Sequence, residues 1–552
     1  MQVTLLQCPA NNPDSPPYAF ALLNAALTQH GHEPHVFDLN IALYHQARAL
    51  SDDNAWATGH SQESPIEYWI NEEFSHASLA PHSDFIDEYL DRVLEVPSPL
   101  IGFSIHTSSY WPTVEIAARV KAKDPSRLVI VGGPYCFLNH EGDRMLERHD
   151  FIDMVCFLEA ERSFPELVDR LERGDDPTDM HGYGFRLPDG RIRNNVIDTI
   201  HRKEPKGTLI EDLDTIPYAD WSCYDIDDYE EKYLPIITSR GCIRRCTFCS
   251  EAPIWGRFRY RSAANIADEM LLQSSAYPQV RTFWFMDSLV NGNIEMLGQL
   301  CDLLIAAGSA GPDGKERGDG RFGWTGQFLV RKQMTEALWE KVSLAGGQWF
   351  ACGLENGSDR ILRMMRKGYD RDTAKEVIRR AHRVDPDLIS VAMFVVGHPL
   401  ETEDDFQDTL EMIEFLKGLG ISSSVSVCDI RKGSHLWYNR DAYDIVCPID
   451  EGHPDGDPAA WYSTDGTNNP EYRYGLLERT KELEATMLHT LKPGEKGLVE
   501  GGMNVHLHSL DVPDLEPLDT AEPADPDTSL LGRVSQVILK RRPKPDTEAA
   551  PR

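Results

Sequence analysis

The sequence predicts an α/β protein: an open, flavodoxin-like (Rossmann-like) parallel sheet, then a barrel or partial barrel of βα units, then a small C-terminal domain. Short β-rich runs alternate with helical stretches over the first ~170 residues, as in an open parallel sheet. The alternation resumes at longer spacing from Leu234 to about residue 430, as in a barrel. A chain of 552 residues also needs several domains, because one domain usually holds ~100 to 200 residues.

The N-terminal sheet is predicted to occupy residues 1–177. Its expected strands are 3–6, 35–38, 100–104, 128–131 and 154–157, and its expected helices include 20–30, 114–123 and 163–172. Residues 41–97 are predicted to be a helical insertion that packs on the sheet. Open α/β sheets bind ligands at the carboxyl ends of their strands, so the loops after Ser104, Val131 and Phe157 are candidate binding loops.

Residues 178–232 are predicted to be a linker with a β-hairpin, because Pro188-Asp189-Gly190 lies between two short β-rich runs. The barrel is placed in residues 233–430, with strands at 234–239, 282–286, 322–325, 349–353, 390–396 and 423–427. Aromatic residues such as Trp437 and Trp461 suggest a packed C-terminal domain over 431–510. Residues 511–552 contain seven prolines and few aromatics, which predicts a mostly disordered tail.

The charge of the chain limits its partners. It has 89 acidic and 55 basic residues, a net charge of −34, and such a field repels nucleic acid and anionic lipid. The chain begins like a strand rather than a signal peptide, and no run approaches the ~18 apolar residues of a membrane span. We therefore expect a cytoplasmic protein with no nucleic-acid or membrane partner.

Three of the eleven cysteines are clustered. An odd, scattered set does not indicate a disulfide framework, and roughly four in five of the isolated cysteines are expected to be small buried hydrophobes. Cys242, Cys246 and Cys249 form a C-x3-C-x2-C run directly after a predicted strand. Thiolates this close in sequence can ligate one metal centre from a single loop.

A structural zinc site or an electron-transfer cluster would normally need a fourth protein ligand. The nearest other cysteines lie at 223 and 301, and no histidine lies between 201 and 382. Three ligands and an open metal position are therefore the favoured interpretation of the cluster.

The segment Thr238-Ser239-Arg240-Gly241-Cys242-x3-Cys246-Thr247-Phe248-Cys249 resembles the cluster loop of radical S-adenosylmethionine (SAM) enzymes. That resemblance implies a partial TIM-type (β/α)6 barrel, a 4Fe-4S cluster on the three cysteines, and SAM bound at the open iron. Later strand ends resemble the segments that meet the SAM amino group, ribose and adenine. The residues that the resemblance assigns to SAM are Phe248, Asp287, Ser288, Arg331, Glu355, Val396 and Gly397.

The N-terminal loops resemble the cobalamin-binding domain that precedes the barrel in cobalamin-dependent radical SAM proteins. The Asp-x-His-x-x-Gly motif that supplies a histidine to cobalt is absent, so we expect no histidine on cobalt. The Gly-Glu-Gly-Glu run of many relatives is here Glu159-Ala160-Glu161, which keeps both acids and loses both glycines. The alternative is a sheet kept only as a scaffold. The residues assigned to cobalamin are Ser104, Thr107, Ser108, Gly132, Gly133, Glu159 and Glu161.

No catalytic acid or base is assigned. His106 and His398 could donate protons near the centre, although a histidine at a strand end is more often a hydrogen-bonding scaffold residue.

The resemblance implies an enzyme that methylates an unactivated carbon of a small molecule or peptide, through a 5'-deoxyadenosyl radical and methylcobalamin. It also implies an electron donor such as flavodoxin or ferredoxin. One alternative is a radical SAM cyclase or rearrangement enzyme without methyl transfer, and another is a non-catalytic cobalamin or iron-sulfur sensor. Methyl transfer requires the carboxyl ends of the two sheets to face each other, with residues 178–232 as the strap that joins them.

Overall fold

A computed structural model describes residues 1–50, 69, 72–137, 141–157, 159–195, 209–251, 255–316, 320–431, 433–447 and 459–488. The predicted tail at 511–552, the end of the C-terminal domain and part of the 41–97 insertion lie outside the described residues. In the part of the chain that the structure covers, no helix is both long and apolar enough to cross a bilayer.

The N-terminal region is an open sheet of order β2-β1-β3-β4-β5-β6-β7. Its first five strands pair in parallel, as predicted. The hairpin predicted at Pro188-Asp189-Gly190 is present, and β6 pairs antiparallel with β5, so the hairpin extends this sheet. The strands are β1 (Gln2–Gln7), β2 (Glu33–Asp38), β3 (Leu100–Ser104), β4 (Leu128–Gly132), β5 (Met154–Cys156), β6 (Tyr183–Arg186) and β7 (Ile192–Asn194).

Helices cover both faces of this sheet because its strands are apolar on both sides. In β1, Val3 and Leu5 pack into one hydrophobic cluster and Leu6 into another, as the two-residue period of a strand requires. The helices are α1 (Tyr18–Gln29), α2 (Leu39–Leu50), α3 (Glu72–Leu79), α4 (Ser83–Glu95), α5 (Tyr110–Lys123), α6 (Pro134–Phe137), α7 (Glu141–Arg148) and α8 (Ala160–Arg173).

The barrel region contains two parallel sheets, β12-β11-β8 and β13-β14-β15-β16. They meet at Gly326, between β12 and β13, where a Cβ atom would lie 2.6 Å from Val290 Cγ1. Each predicted barrel strand is present, and the predicted fold class is confirmed. These strands are β8 (Tyr233–Ile236), β11 (Thr282–Phe285), β12 (Gly323–Thr325), β13 (Gln327–Phe328), β14 (Phe350–Glu355), β15 (Ile389–Val396) and β16 (Ser422–Val427).

The first barrel strand is shorter than the predicted 234–239. It ends at Ile236, and Ser239–Arg240 form a separate strand, β9, which pairs antiparallel with β10 (Arg259–Tyr260). The backbone N–H groups of Thr238 and Ser239 donate to the Asp287 carboxylate instead of to a neighbouring strand. The contact with the Asp287 side chain therefore ends the pairing of β8 with β11.

Helices pack on the outside of the barrel strands, and a C-terminal segment covers one end. Trp461 is buried and donates from Nε1 to the Cys428 carbonyl oxygen at 2.7 Å, and the Arg473 guanidinium stacks 3.8 Å from the Trp461 ring centroid. The remaining elements are α9 (Ala263–Ala276), α10 (Ile294–Ala307), α11 (Glu336–Leu344), α12 (Asp359–Met364), α13 (Arg371–Val384), α14 (Glu403–Lys417), α15 (His435–Tyr438), β17 (Ile445–Val446), β18 (Tyr462–Ser463) and α16 (Pro470–Leu488).

Candidate metal and cofactor site

The three clustered cysteines lie in the loop between β9 and β10. Two backbone N–H groups in this loop lie close to sulfur: Arg244 N is 3.4 Å from Cys242 Sγ, and Glu251 N is 3.5 Å from Cys249 Sγ. Donors of this kind stabilise thiolates, the form in which cysteine binds metal.

The same loop is held from both sides through Thr247, which is fully buried. Its N–H donates to the Met365 carbonyl at 3.1 Å, and its carbonyl accepts from Leu436 N at 2.9 Å. The neighbouring Phe248 packs against the cluster that contains Trp461. Phe248 therefore joins the cysteine loop to the C-terminal segment.

Burial raises the pKa of each of the three thiols, that of Cys249 to about 12. The Lys367 ammonium opposes this shift at Cys242 and Cys246. A coordinated thiol is deprotonated by the metal it binds, so a bound metal would act against the effect of burial at these three thiols.

The three sulfurs are not all within reach of one small ion. Within the described residues, the only three potential ligand atoms that all lie within 4.8 Å of one another belong to His32, Asp169 and Glu172. At least one pair of the Cys242, Cys246 and Cys249 sulfurs is therefore more than 4.8 Å apart, whereas one tetrahedral zinc holds its sulfurs roughly 3.8 Å apart at a Zn–S distance of about 2.3 Å. Three thiols from one loop suit an iron–sulfur cluster.

Asp287 follows β11 and supports the entrance to the cysteine loop. Its buried carboxylate accepts from Thr238 N at 3.0 Å and from the Thr238 and Ser239 hydroxyls at 2.8 Å each. Burial raises its pKa to about 6, against the opposing effect of these hydrogen bonds. Asp287 thus holds the segment that leads to Cys242.

The two other candidates nearby have defined partners. Ser288 donates to Glu251 Oε2 at 2.5 Å, which connects the end of β11 to the cysteine loop. Arg331 donates to the carbonyl oxygens of Asn291 and Gly292 at 2.7 Å each. Burial and the positive charge of Arg244 both lower the pKa of Arg331.

Arg331 also lines a pocket of about 430 Å³ beside the cysteine loop. Arg244 and Lys332 line it too, and none of the described residues around it is acidic. An anionic group, such as a carboxylate, would complement three cations. The pocket lies next to Ile243, within the cysteine loop itself.

Glu355 ends β14 with a positive φ of 69° and pairs with the buried Lys367, Oε1 to Nζ 3.0 Å. Burial alone would lower the pKa of Lys367, but the Glu355 carboxylate raises it above its usual range. The ammonium therefore stays charged beside Cys246. No periodic or motif signal in the sequence points to Lys367.

Val396 and Gly397, the two candidates at the end of β15, make different contacts. Val396 packs with Phe406 and Leu476, on the helix side of the strand. Gly397 has φ +76° and donates its N–H to the Glu401 carboxylate, while its carbonyl accepts from Asn468 Nδ2 at 3.2 Å. Both backbone groups of Gly397 are thus engaged within the protein, and a Cβ atom there would collide with the Arg473 side chain, so Gly397 shapes the turn at this strand end.

His398 is buried, and burial lowers its pKa to about 4. Its Nδ1 accepts from Leu400 N at 3.3 Å, and its Nε2 has no hydrogen-bond partner among the described residues. At neutral pH the ring is uncharged and carries its proton on Nε2.

Glu401 is expected to make the free energy of unfolding depend on pH. It is buried, accepts from Asn356 Nδ2 at 2.6 Å, and burial raises its pKa from 4.5 to about 7. Between these two pH values the folded protein keeps a proton that the unfolded chain has lost, so stability falls as pH rises. We expect Glu401→Gln to gain up to about 3 kcal/mol of unfolding free energy relative to wild type between pH 5 and pH 8.

Denaturant unfolding of both proteins at the two pH values measures this difference, and the subtraction cancels groups that titrate in both. An equal stability gap between wild type and variant at pH 5 and pH 8 would contradict the assignment.

The carboxyl edge of the N-terminal sheet brings several candidates together. Gly133 has φ +98°, and a Cβ there would lie 2.7 Å from both the N and the O of Ile105. The Ser108 hydroxyl donates to the Ala10 carbonyl at 3.0 Å, so the loops after β1 and β3 touch. Ser104 and Gly132 are register partners of β3 and β4. Thr107 is exposed at the same edge.

Glu159 and Glu161 face the barrel instead. Glu159 lies 3.0 Å from Arg240 and 2.7 Å from Arg259, and Glu161 pairs with Arg240. Both arginines flank the cysteine loop, in β9 and β10. The carboxyl end of β5 therefore lies against the strand that follows β8. Sequence reasoning expected Arg259 to contact protein acids or a substrate carboxylate. It did not identify Glu159 as the partner of Arg259 or of Arg240, because ion pairs between distant segments leave no local pattern.

Comparison with known proteins identifies the barrel. Residues 236–413 match the family model of the radical SAM superfamily. This match confirms the resemblance drawn from the cysteine loop and the expectation of a 4Fe-4S cluster and SAM.

Two relatives are each 25% identical to this chain. One is an uncharacterized methyltransferase of Pyrococcus horikoshii, aligned over 61% of this chain and 68% of its own length. The other is an anaerobic magnesium-protoporphyrin IX monomethyl ester cyclase of Synechocystis, aligned over 57% of this chain and 58% of its own length.

A solved structure extends the likeness beyond the barrel. The radical SAM methyltransferase TsrM of Kitasatospora setae, with cobalamin and a 4Fe-4S cluster bound, matches with a TM-score of 0.57 and 15% identity, over 82% of this chain and 81% of its own. The chain therefore carries a radical SAM domain over residues 236–413 and shares its overall fold with a radical SAM methyltransferase whose structure contains cobalamin.

Proposed function

We propose that this protein is a cobalamin-dependent radical SAM enzyme that methylates an unactivated carbon of a small molecule or peptide. The observation that carries the proposal is the contact between the two halves: the loop after β5 of the N-terminal sheet lies against β9, two residues before Cys242. A mechanism that uses both cofactors in turn needs this proximity.

When bound, SAM on the cluster supplies a carbon-centred radical and cobalamin supplies a methyl group. Cys242, Cys246 and Cys249 would hold the cluster, and the Lys367 ammonium offsets part of the negative charge of its thiolates. Asp287 holds Thr238 and Ser239 in place at the entrance of the loop.

Other residues of this chain would orient SAM and cobalamin. Glu355, whose carboxylate pairs with Lys367, can accept from ribose hydroxyls. At the next strand end, Gly397 would shape the turn beside the cofactor, with its backbone held by Glu401 and Asn468. The pocket with Arg331 suits a carboxylate. At the sheet edge, Gly133 lets the loops after β3 and β4 pack together against Ile105, and these loops would hold cobalamin.

A second candidate is a cyclisation or rearrangement with the same cofactors, which the Synechocystis cyclase relative favours. Methyl transfer is preferred because the Pyrococcus relative is named a methyltransferase and so is TsrM, a structural match.

The test is anaerobic reconstitution with iron, sulfide and hydroxocobalamin, followed by reduction and addition of SAM that carries a deuterated methyl group. We expect 5'-deoxyadenosine, bound cobalamin, and transfer of the label to one of a panel of small molecules and peptides. A product without label would favour the cyclase. Protein that retains no cobalamin would contradict the proposal while leaving the radical SAM domain in place.

We also propose a cytoplasmic location and a one-electron donor of the flavodoxin or ferredoxin type, because SAM cleavage at a cluster consumes an electron. Reduction of the cluster by either protein, followed by ultraviolet–visible spectroscopy, tests the donor.

A further inference from the structure

Four charged side chains join the N-terminal sheet to the strands that frame the cysteine loop. Glu159 precedes α8, and Glu161 lies in its first turn. Arg240 ends β9, two residues before Cys242, and Arg259 begins β10. We name these four residues the interdomain clamp.

The clamp is buried and its geometry is tight. Glu159 Oε1 lies 3.0 Å from Arg240 Nη1 and 2.7 Å from Arg259 Nη2, and Glu159 Oε2 accepts from Arg259 Nη1 at 3.0 Å. Arg240 also pairs with Glu161. The exposed fractions of the side chains are 2% for Glu159, 11% for Glu161, 4% for Arg240 and 3% for Arg259.

One carboxylate therefore holds both ends of the loop. Arg240 and Arg259 are register partners in the β9–β10 ribbon, and both contact Glu159. The linker also contacts the clamp. Ile210 N donates to Glu159 Oε2, and the Ile210 carbonyl accepts from Arg259 Nη1, each at 2.6 Å.

The clamp changes the role expected of the two acids. The resemblance assigned Glu159 and Glu161 to cobalamin, yet their oxygens are engaged by arginines of the barrel. Buried ion pairs contribute little net stability after desolvation, but their directed hydrogen bonds can select one arrangement of the groups they join.

We propose that the interdomain clamp sets the separation between the cobalamin-binding edge of the sheet and the iron–sulfur loop, so that Glu159, Glu161, Arg240 and Arg259 are positioning residues. This inference rests on the proposed function, since it presumes cobalamin at the sheet edge. A radical made at the barrel must meet the cobalt without diffusing, and misplacement by about 1 Å can cost about 100-fold in rate.

The test compares wild type with Glu159→Gln, and with Glu161→Gln as a milder change that leaves the Glu159 pairs in place. The matched control is Glu166→Gln, on the same helix, where Glu166 forms an exposed pair with Arg170 at 3.0 Å. All proteins are reconstituted with the cluster and cobalamin.

Pulsed electron paramagnetic resonance then measures the distance between cobalt(II) and the reduced cluster. Wild type and Glu166→Gln should give one narrow distribution, and Glu159→Gln a broader or shifted one with unchanged iron content. Glu161→Gln should lie between them. Unchanged distributions in both clamp variants would overturn the inference.

Hydrogen–deuterium exchange on cluster-loaded protein gives a second readout that does not need cobalamin. Exchange should accelerate in Glu159→Gln both at β9–β10 and at the start of α8, but not in Glu166→Gln. No change at either segment would also overturn the clamp. Absence of cobalamin from wild type would refute the proposed function, while exchange still decides whether the clamp joins the two regions.

Discussion

Replacing Cys242, Cys246 and Cys249 together by alanine is expected to remove all bound iron and abolish SAM cleavage. Anaerobically reconstituted wild type should carry about four irons per chain. The fold should survive, because the cysteine loop is held by the backbone of Thr247 and by Asp287 rather than by the thiols. Iron analysis, circular dichroism and 5'-deoxyadenosine formation measure the three effects.

Cys223→Ala is the matched control. Cys223 is partly buried like the three loop cysteines and belongs to the isolated set, so its replacement should leave iron content unchanged. Stoichiometric zinc without iron in anaerobically prepared wild type would contradict the cluster assignment.

The fold was predictable where the pattern is local. Strands such as Leu128–Gly132 and Ile389–Val396 are apolar runs between turn signals, and their alternation with helices indicates parallel sheets without further information. The end of the first barrel strand was not predictable, because the Asp287 carboxylate that takes the N–H groups of Thr238 and Ser239 lies far along the chain.

In the candidate site, too, the local signals were predictable and the long-range contacts were not. The cysteine spacing is a local signal, and its family assignment is confirmed by the match over residues 236–413. The SAM and cobalamin residues stay predictions, and their surroundings depend on distant contacts. Val396 packs toward helices, and Lys367 pairs with Glu355 from the other side of α12. Such partners are set by tertiary packing, which a single sequence does not encode as a spacing.

One added methyl group at Gly133 is expected to disturb the carboxyl edge of the N-terminal sheet. In Gly133→Ala, the new Cβ would approach the N and O of Ile105 to 2.7 Å, and φ +98° is itself strained for alanine. Ile105 N donates to Gly132 O at 2.8 Å, and Ile105 O accepts from Tyr135 N at 3.1 Å. The loops after β3 and β4 would have to separate.

These are the loops assigned to cobalamin, so we expect Gly133→Ala to weaken cobalamin binding at least tenfold, a cost of about 1.4 kcal/mol or more. Gly174→Ala separates this effect from backbone strain alone. Gly174 also has a positive φ, +72°, but a Cβ there would meet nothing within 4 Å, so its replacement should cost only about 1 kcal/mol of stability and leave binding unchanged.

Titration of both variants with hydroxocobalamin, followed by absorbance, measures the difference, and thermal unfolding monitors the fold. A folded Gly133→Ala protein that binds cobalamin as wild type does would show that the cofactor does not lie against this edge. A matching loss in Gly174→Ala would mean that general destabilisation, rather than the contact with Ile105, governs binding. Selective loss in Gly133→Ala alone would show that cobalamin binding depends on the close packing of the loops after β3 and β4.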